Sequence, residues 1–175
     1  MDRRLFLSTL VGAAPVLALP SIGSASTADV RALAFTHLHT GEQLTVEYVS
    51  RGAYVPDALA SINHLLRDFR NGEVHPIDRR LLDLLHALKT ATGSRRPFEV
   101  ISGYRAPATN QHLQARSSGV ASGSLHMKGQ AIDIRVGDVP LAVLRDAARM
   151  LRRGGVGYYP SSNFVHVDTG RVRNW

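Results

Sequence analysis

Two histidines and an aspartate carry the strongest chemical signal in this sequence. His126 stands in Ser122-Gly123-Ser124-Leu125-His126-Met127-Lys128-Gly129, Asp133 follows seven residues later, and His166 lies in Phe164-Val165-His166-Val167-Asp168. Two imidazoles and one carboxylate supply three ligands to a zinc ion and leave a fourth position for water, the arrangement of a catalytic rather than a structural site. The chain has no cysteine, so disulfides, thiolate nucleophiles and cysteine-held zinc are excluded. Any metal must rest on histidine and carboxylate. A further group stands in Ser102-Gly103-Tyr104-Arg105, where the guanidinium of Arg105 either grips a carboxylate through paired hydrogen bonds or forms a structural ion pair.

These residues need elements to bring them together. From Gln130 onward the pattern is strand-like, with Ile132, Ile134 and Val136 on one face and Ala131, Asp133 and Arg135 on the other. The last segment repeats the logic: Val165 and Val167 point one way, and Phe164, His166 and Asp168 the other. If the two strands share a sheet, Asp133 and His166 share a face and His126 reaches over from the preceding loop. Residues 98–101 form a short strand that ends in the Arg105 loop, and strand-end loops are where a rigid sheet presents functional side chains.

The rest of the chain reads as scaffold. Residues 32–35 and 44–48 predict a β-hairpin turning at Thr40-Gly41-Glu42. His37 and His39 sit near that turn at strand spacing, as a metal pair without a third ligand or as ordinary turn histidines. A helix is expected from an Asp57 N-cap to about Arg70, a second from about Asp78 to Thr92, a short one over residues 108–115, and another from Pro140 to about Leu151. His64, His86 and His112 fall within these helices, and the first two read as packed or boundary histidines; His75 has no identifiable partner. Tyr158-Tyr159 and the tail from Gly170 to Trp175 flank the candidate site with open roles. Together these elements predict one α+β domain: an antiparallel sheet with helices on one face and a metal cleft on the other.

The N-terminal segment has a different character. Arg3 and Arg4 precede an apolar run from Leu5 through Leu19, and Gly23-Ser24-Ala25 offers small residues to a signal peptidase, so residues 1–25 read as an export signal of twin-arginine type and residues 26–175 as the mature domain. An ordinary secretory leader is the alternative. Pro15 and Pro20 interrupt the run, and no later stretch is long enough to span a bilayer. The formal charge of +7 becomes +6 without the leader, as 21 basic residues lose Arg3 and Arg4 and 14 acidic residues lose Asp2. Such a charge attracts polyanions. The basic residues are scattered and lack an aromatic stacking array, which argues against nucleic acid and is compatible with an anionic cell wall. Oligomeric state leaves no readable signal.

Ser102-Gly103-Tyr104-Arg105, the spacing Ser124-x-His126-x-x-Gly129-x-Ala131-x-Asp133, and Phe164-Val165-His166-Val167-Asp168, in that order, resemble the M15 group of zinc peptidases. This group includes D-Ala-D-Ala carboxypeptidases, dipeptidases and murein endopeptidases and shares a fold with the hedgehog signalling domain; leader and size are nearest to the murein endopeptidase K type. The resemblance implies that His126, Asp133 and His166 hold one zinc ion, and that Arg105 and Ser124 contact substrate, with Arg105 polarising the scissile carbonyl or stabilising its oxyanion. It implies a periplasmic enzyme that hydrolyses peptide bonds in peptidoglycan stem peptides, with cross-link cleavage expected first and D,D-carboxypeptidase action on stem-peptide ends as the alternative. Many relatives place an acidic general base three residues before the last histidine ligand, where this chain has Asn163. An amide cannot accept that proton. Asp168 is then either the catalytic base or a carboxylate that orients His166. Asn163 also motivates a reading outside enzymology, a wall-binding protein that keeps zinc and has lost catalysis; a basic exported protein without metal is the third reading.

Overall fold

The computed structural model describes residues 29–116 and 119–175. The export signal expected over residues 1–25 lies outside the described residues. Eight strands form one sheet in the order β3-β2-β1-β4-β5-β7-β6-β8. The hairpin is β1 (Arg31–His37) with β2 (Gln43–Ser50), and β3 (Ala53–Tyr54) adds a short outer rung. Helices α1 (Pro56–Leu65) and α2 (Arg79–Thr92) follow, then β4 (Phe98–Ser102) and α3 (Pro107–Gln114). A single 3₁₀ turn, Leu125–Lys128, leads into β5 (Ala131–Val136). The chain continues through α4 (Leu141–Leu151), β6 (Gly155–Tyr159), β7 (Phe164–Asp168) and β8 (Arg173–Asn174).

The sheet is mixed rather than wholly antiparallel. β1 pairs with β4 in parallel, as does β6 with β8, while the remaining neighbours are antiparallel. A parallel pair needs a crossover, and α1 and α2 provide it by carrying the chain back before β4 begins. The alternation expected for the two central strands holds. Ile132, Ile134, Val165 and Val167 are fully buried in the core with Ile62, Leu81, Leu85, Leu88 and Leu144 from α1, α2 and α4. Asp133 and His166, at the opposite parity, therefore face away from these helices. α3 does not join the core layer; its Asn110 bonds Arg105 and the Ala121 carbonyl, so it stands with the loops over the opposite face.

α1 is shorter than its apolar spacing predicts. Pro56, not a side-chain cap from Asp57, opens it at a position where a missing N–H costs nothing, and it stops at Leu65 instead of Arg70. Residues 66–72 are drawn into tertiary work. The Leu66 carbonyl accepts the Tyr104 N–H at 2.8 Å, and the fully buried Asp68 carboxylate accepts the N–H groups of Ala106 at 2.9 Å and Arg70 at 3.0 Å. A helix continued to Arg70 would leave the Arg105 loop without these supports. α2 runs as expected, with Asp78 capping Arg80 N–H. Among the described residues no helix is long and apolar enough to cross a membrane.

Candidate metal centre

The antiparallel register of β5 and β7 sets Asp133 directly opposite His166, on one face of the two central strands. His126 comes from the 3₁₀ turn just before β5. That turn is held in place by Gly129, whose positive φ of 62° lets the chain bend into the strand and whose missing side chain leaves room for the Pro76 carbonyl. The Gly129 carbonyl in turn accepts the Asp78 N–H at 2.9 Å, tying the turn to the start of α2. His126, Asp133 and His166 are all buried, and one ligand atom of each lies within 4.8 Å of the others. His166 Nδ1 is 2.8 Å from Asp133 Oδ1, His126 Nε2 is 3.3 Å from the same oxygen, and the two ring nitrogens are 3.2 Å apart.

The opposite edge of each imidazole shows which nitrogens are free. His126 Nδ1 donates to the Gly103 carbonyl at 2.7 Å, an acceptor that takes nothing but a proton donor. His166 Nε2 donates to Asp168 Oδ2 at 3.1 Å. With those nitrogens protonated, His126 Nε2 and His166 Nδ1 turn lone pairs toward each other and toward an ionised carboxylate. Three electron-rich atoms this close repel unless a cation or a proton lies among them, so the donor set fits a metal ion. Burial opposes charge on His166, but the Asp133 and Asp168 carboxylates outweigh it and raise its pKa to about 9. Burial likewise disfavours the Asp133 carboxylate, yet the two histidines hold it well below the usual carboxylate range.

The remaining candidates fall at different distances from this centre. Arg105 and Ser124 line the same cleft as the three ligand residues, together with Tyr159, Phe164, Arg173 and Trp175. The Arg105 backbone N–H donates to the His126 carbonyl, its Nη1 donates to Asn110 at 3.3 Å, and among the described residues its buried Nε has no hydrogen-bond partner. Burial lowers the guanidinium pKa, opposed by Asp133. Ser124 precedes the 3₁₀ turn as its N-cap without capping it through its side chain. Asp168 lies behind His166, on the side away from the converging atoms, and is fully buried. Burial would raise its pKa, but His166, Arg173 and the N–H groups of Gly155 and Gly170 hold it low. Asn163 is outside the cleft; it lines a separate depression with Glu99, Arg135 and Pro140. Its φ of 54° in the β6–β7 turn is a conformation that asparagine tolerates better than most residues.

His37 and His39 do not assemble a site. His37 is fully buried and its Nδ1 accepts the N–H groups of His39 and Thr40, while His39 stacks on Phe69 at 4.2 Å. His75 stacks on Tyr104 at 4.6 Å and so braces the Arg105 loop. Several supports escaped sequence reasoning: Asp68, the Gly103 carbonyl, Asn110 and the Arg173–Trp175 segment. Their partners lie far off in sequence; the Ser102-Gly103-Tyr104-Arg105 block hints at one of them, and the sequence places the tail beside the site without a role.

A cleft floored by two strands, with three convergent donors and an arginine beside them, defines a protein of the metallopeptidase class. The family model described as peptidoglycan L,D-endopeptidase MepK, of the M15 peptidases, matches residues 25–175, and the chain belongs to that family. It is 45% identical over 162 residues to the peptidoglycan L,D-endopeptidase MepK of Escherichia coli (strain K12), covering 93% of this chain and 89% of the relative. A probable peptidoglycan L,D-endopeptidase MepK of Haemophilus influenzae is 44% identical over 151 residues, 86% of this chain and 81% of that one. The zinc D-Ala-D-Ala carboxypeptidase of Streptomyces albus G is 31% identical over 124 residues, 66% of this chain and 46% of its own length.

Proposed function

We propose that this protein is a zinc-dependent peptidoglycan endopeptidase that cleaves cross-links between stem peptides after export to the periplasm. The observation that carries the reading is the convergence of His126 Nε2, Asp133 Oδ1 and His166 Nδ1, each imidazole being oriented from behind by an oxygen acceptor. Zinc held by these atoms would polarise the scissile carbonyl and lower the pKa of a bound water toward about 7. Two of the chain's own residues act beside it. Arg105, whose buried Nε has no partner among the described residues, donates to the carbonyl oxygen as negative charge develops there, where a fixed cation contributes most in a water-poor cleft. Ser124 offers its hydroxyl to the peptide backbone beside His126.

Asp168 acts as a positioning residue rather than the proton acceptor. Both its oxygens are engaged by His166, Arg173, Gly155 and Gly170, and none faces the cleft. Asn163 lies outside the cleft, in a separate depression with Glu99 and Arg135, which supports giving it no direct part in the chemistry. The relatives named for L,D-endopeptidase activity on peptidoglycan support cross-link cleavage, and the Streptomyces carboxypeptidase supports the second reading, removal of terminal residues from stem peptides. Mass analysis of purified cross-linked muropeptides before and after digestion separates the two. Cross-linked dimers should fall to monomers, with activity lost on chelation and in His166→Ala; release of a single terminal residue from monomers would make it a carboxypeptidase, and intact substrate would sink both.

A further inference from the structure

The sheet order places Arg105 and Trp175 on opposite sides of the metal ligands. Arg105 follows β4, Asp133 and His166 lie on β5 and β7, and Trp175 follows β8 beyond β6. β8 has two residues, yet it runs parallel to β6 and is closed by two backbone bonds, Tyr158 N–H to the Trp175 carbonyl and Trp175 N–H to the Val156 carbonyl. These bonds bring the indole over the sheet. Its ring centre is 5.3 Å from that of His166, and its Nε1 donates to the Tyr159 hydroxyl at 2.7 Å. Tyr159 stacks at 4.6 Å on Phe164, its partner across the β6–β7 pair.

Gly157, paired with His166, has no side chain beneath the ring. A Cβ there would meet the indole Cε2 at 2.7 Å. The ring also carries the Arg173 guanidinium over its face, 4.7 Å from its centre. Four neighbours therefore surround the indole beside the proposed reacting centre, and still it is 46% exposed. A core tryptophan would be covered, and a merely exposed one would not be seated on a glycine. With the stacked pair Tyr159 and Phe164 it lines one flank of the cleft with aromatic rings, and Arg105 lines the same cleft from the other end of the sheet order.

We infer that Trp175 is a specificity-determining residue whose indole receives the aliphatic part of the stem peptide on the side of the scissile bond opposite Arg105. The inference rests on the peptidase reading above. Its ligand is a peptide with an apolar side-chain portion to lie against these rings and polar or carboxylate groups directed to Arg105. Trp175 is the only tryptophan in the chain, so intrinsic fluorescence reports on this wall alone.

The test titrates purified cross-linked muropeptides into the zinc-loaded full chain while following tryptophan emission, and then measures cleavage by Trp175→Ala, Trp175→Phe and Gly157→Ala. A saturable emission change is expected. Trp175→Ala should raise KM about tenfold with kcat within about threefold, Trp175→Phe should recover most of the loss, and Gly157→Ala, which displaces the indole without altering a cleft side chain, should resemble Trp175→Ala. Zinc content should remain that of the wild type. Unchanged KM in Trp175→Ala, or flat emission through a titration that calorimetry shows to bind, overturns the inference. So does loss of zinc in Trp175→Ala that Trp175→Phe does not repair, because the indole would then be a prop for His166. A wild-type protein that binds muropeptides with an emission change but cuts none overturns the peptidase reading and leaves the wall standing; one that neither binds nor cuts overturns both.

Discussion

Asp168 illustrates how a side chain can matter to a metal without touching it. It accepts the His166 Nε2–H at 3.1 Å and anchors two backbone N–H groups and Arg173. A carboxylate so placed fixes the ring's tautomer and strengthens the facing nitrogen as a ligand, and losing such a group typically costs about 10- to 100-fold in metal affinity. Asp168→Asn should therefore weaken zinc binding by about that factor in a chelator competition titration, with turnover recovered at saturating zinc. Were Asp168 the base, added zinc would restore nothing. The sequence shows the three donors by residue type and strand parity. It does not show that Asn163 is turned aside, because the direction of a turn residue depends on the backbone of the hairpin and not on its distance in sequence from His166.

Among the elements, the end of α1 has the widest reach. Leu66 and Asp68 leave the helix to bind the backbone of Tyr104 and Ala106, on either side of Arg105. Gly103 fits against this segment only because it has no side chain, since a Cβ would come 2.5 Å from the Leu66 carbonyl. Asp68→Ala leaves the buried Ala106 N–H unsatisfied and should cost about 1–3 kcal/mol in denaturant unfolding. It should also lower kcat through a loosened Arg105 while zinc content is unchanged; equal kcat would show that the loop holds itself. Helical periodicity reads Leu65, Leu66 and Phe69 as one continuing face, and so extends α1 to Arg70. The competing pull comes from a loop some forty residues further on, which no local pattern contains. The central strands were legible for the converse reason, because alternation is a local property and their apolar faces are unbroken.

At the scale of the molecule, the proposed zinc joins the 3₁₀ turn, β5 and β7, and so stabilises the folded chain by binding it and not the unfolded one. With free zinc at about a hundred times its Kd the gain is about 2.7 kcal/mol, which moves Tm by roughly 5–10 °C for a domain of this size. Calorimetry with and without chelator should show that shift, and identical scans would argue against any folded-state metal site. The α+β class and single domain were readable from length and from the mixture of periodicities. The parallel pairings were not, because they depend on where the crossover of α1 and α2 returns the chain.

His166 is 40 residues from His126 and 33 from Asp133, with α4 and β6 between them. A chain still being made offers at most two of the three donors, too few for firm capture of an ion, and the third arrives only when β7 pairs with β5. Three-donor binding of the proposed zinc would thus wait for the pairing of β7 with β5, the strand pairing that brings the last donor to the site.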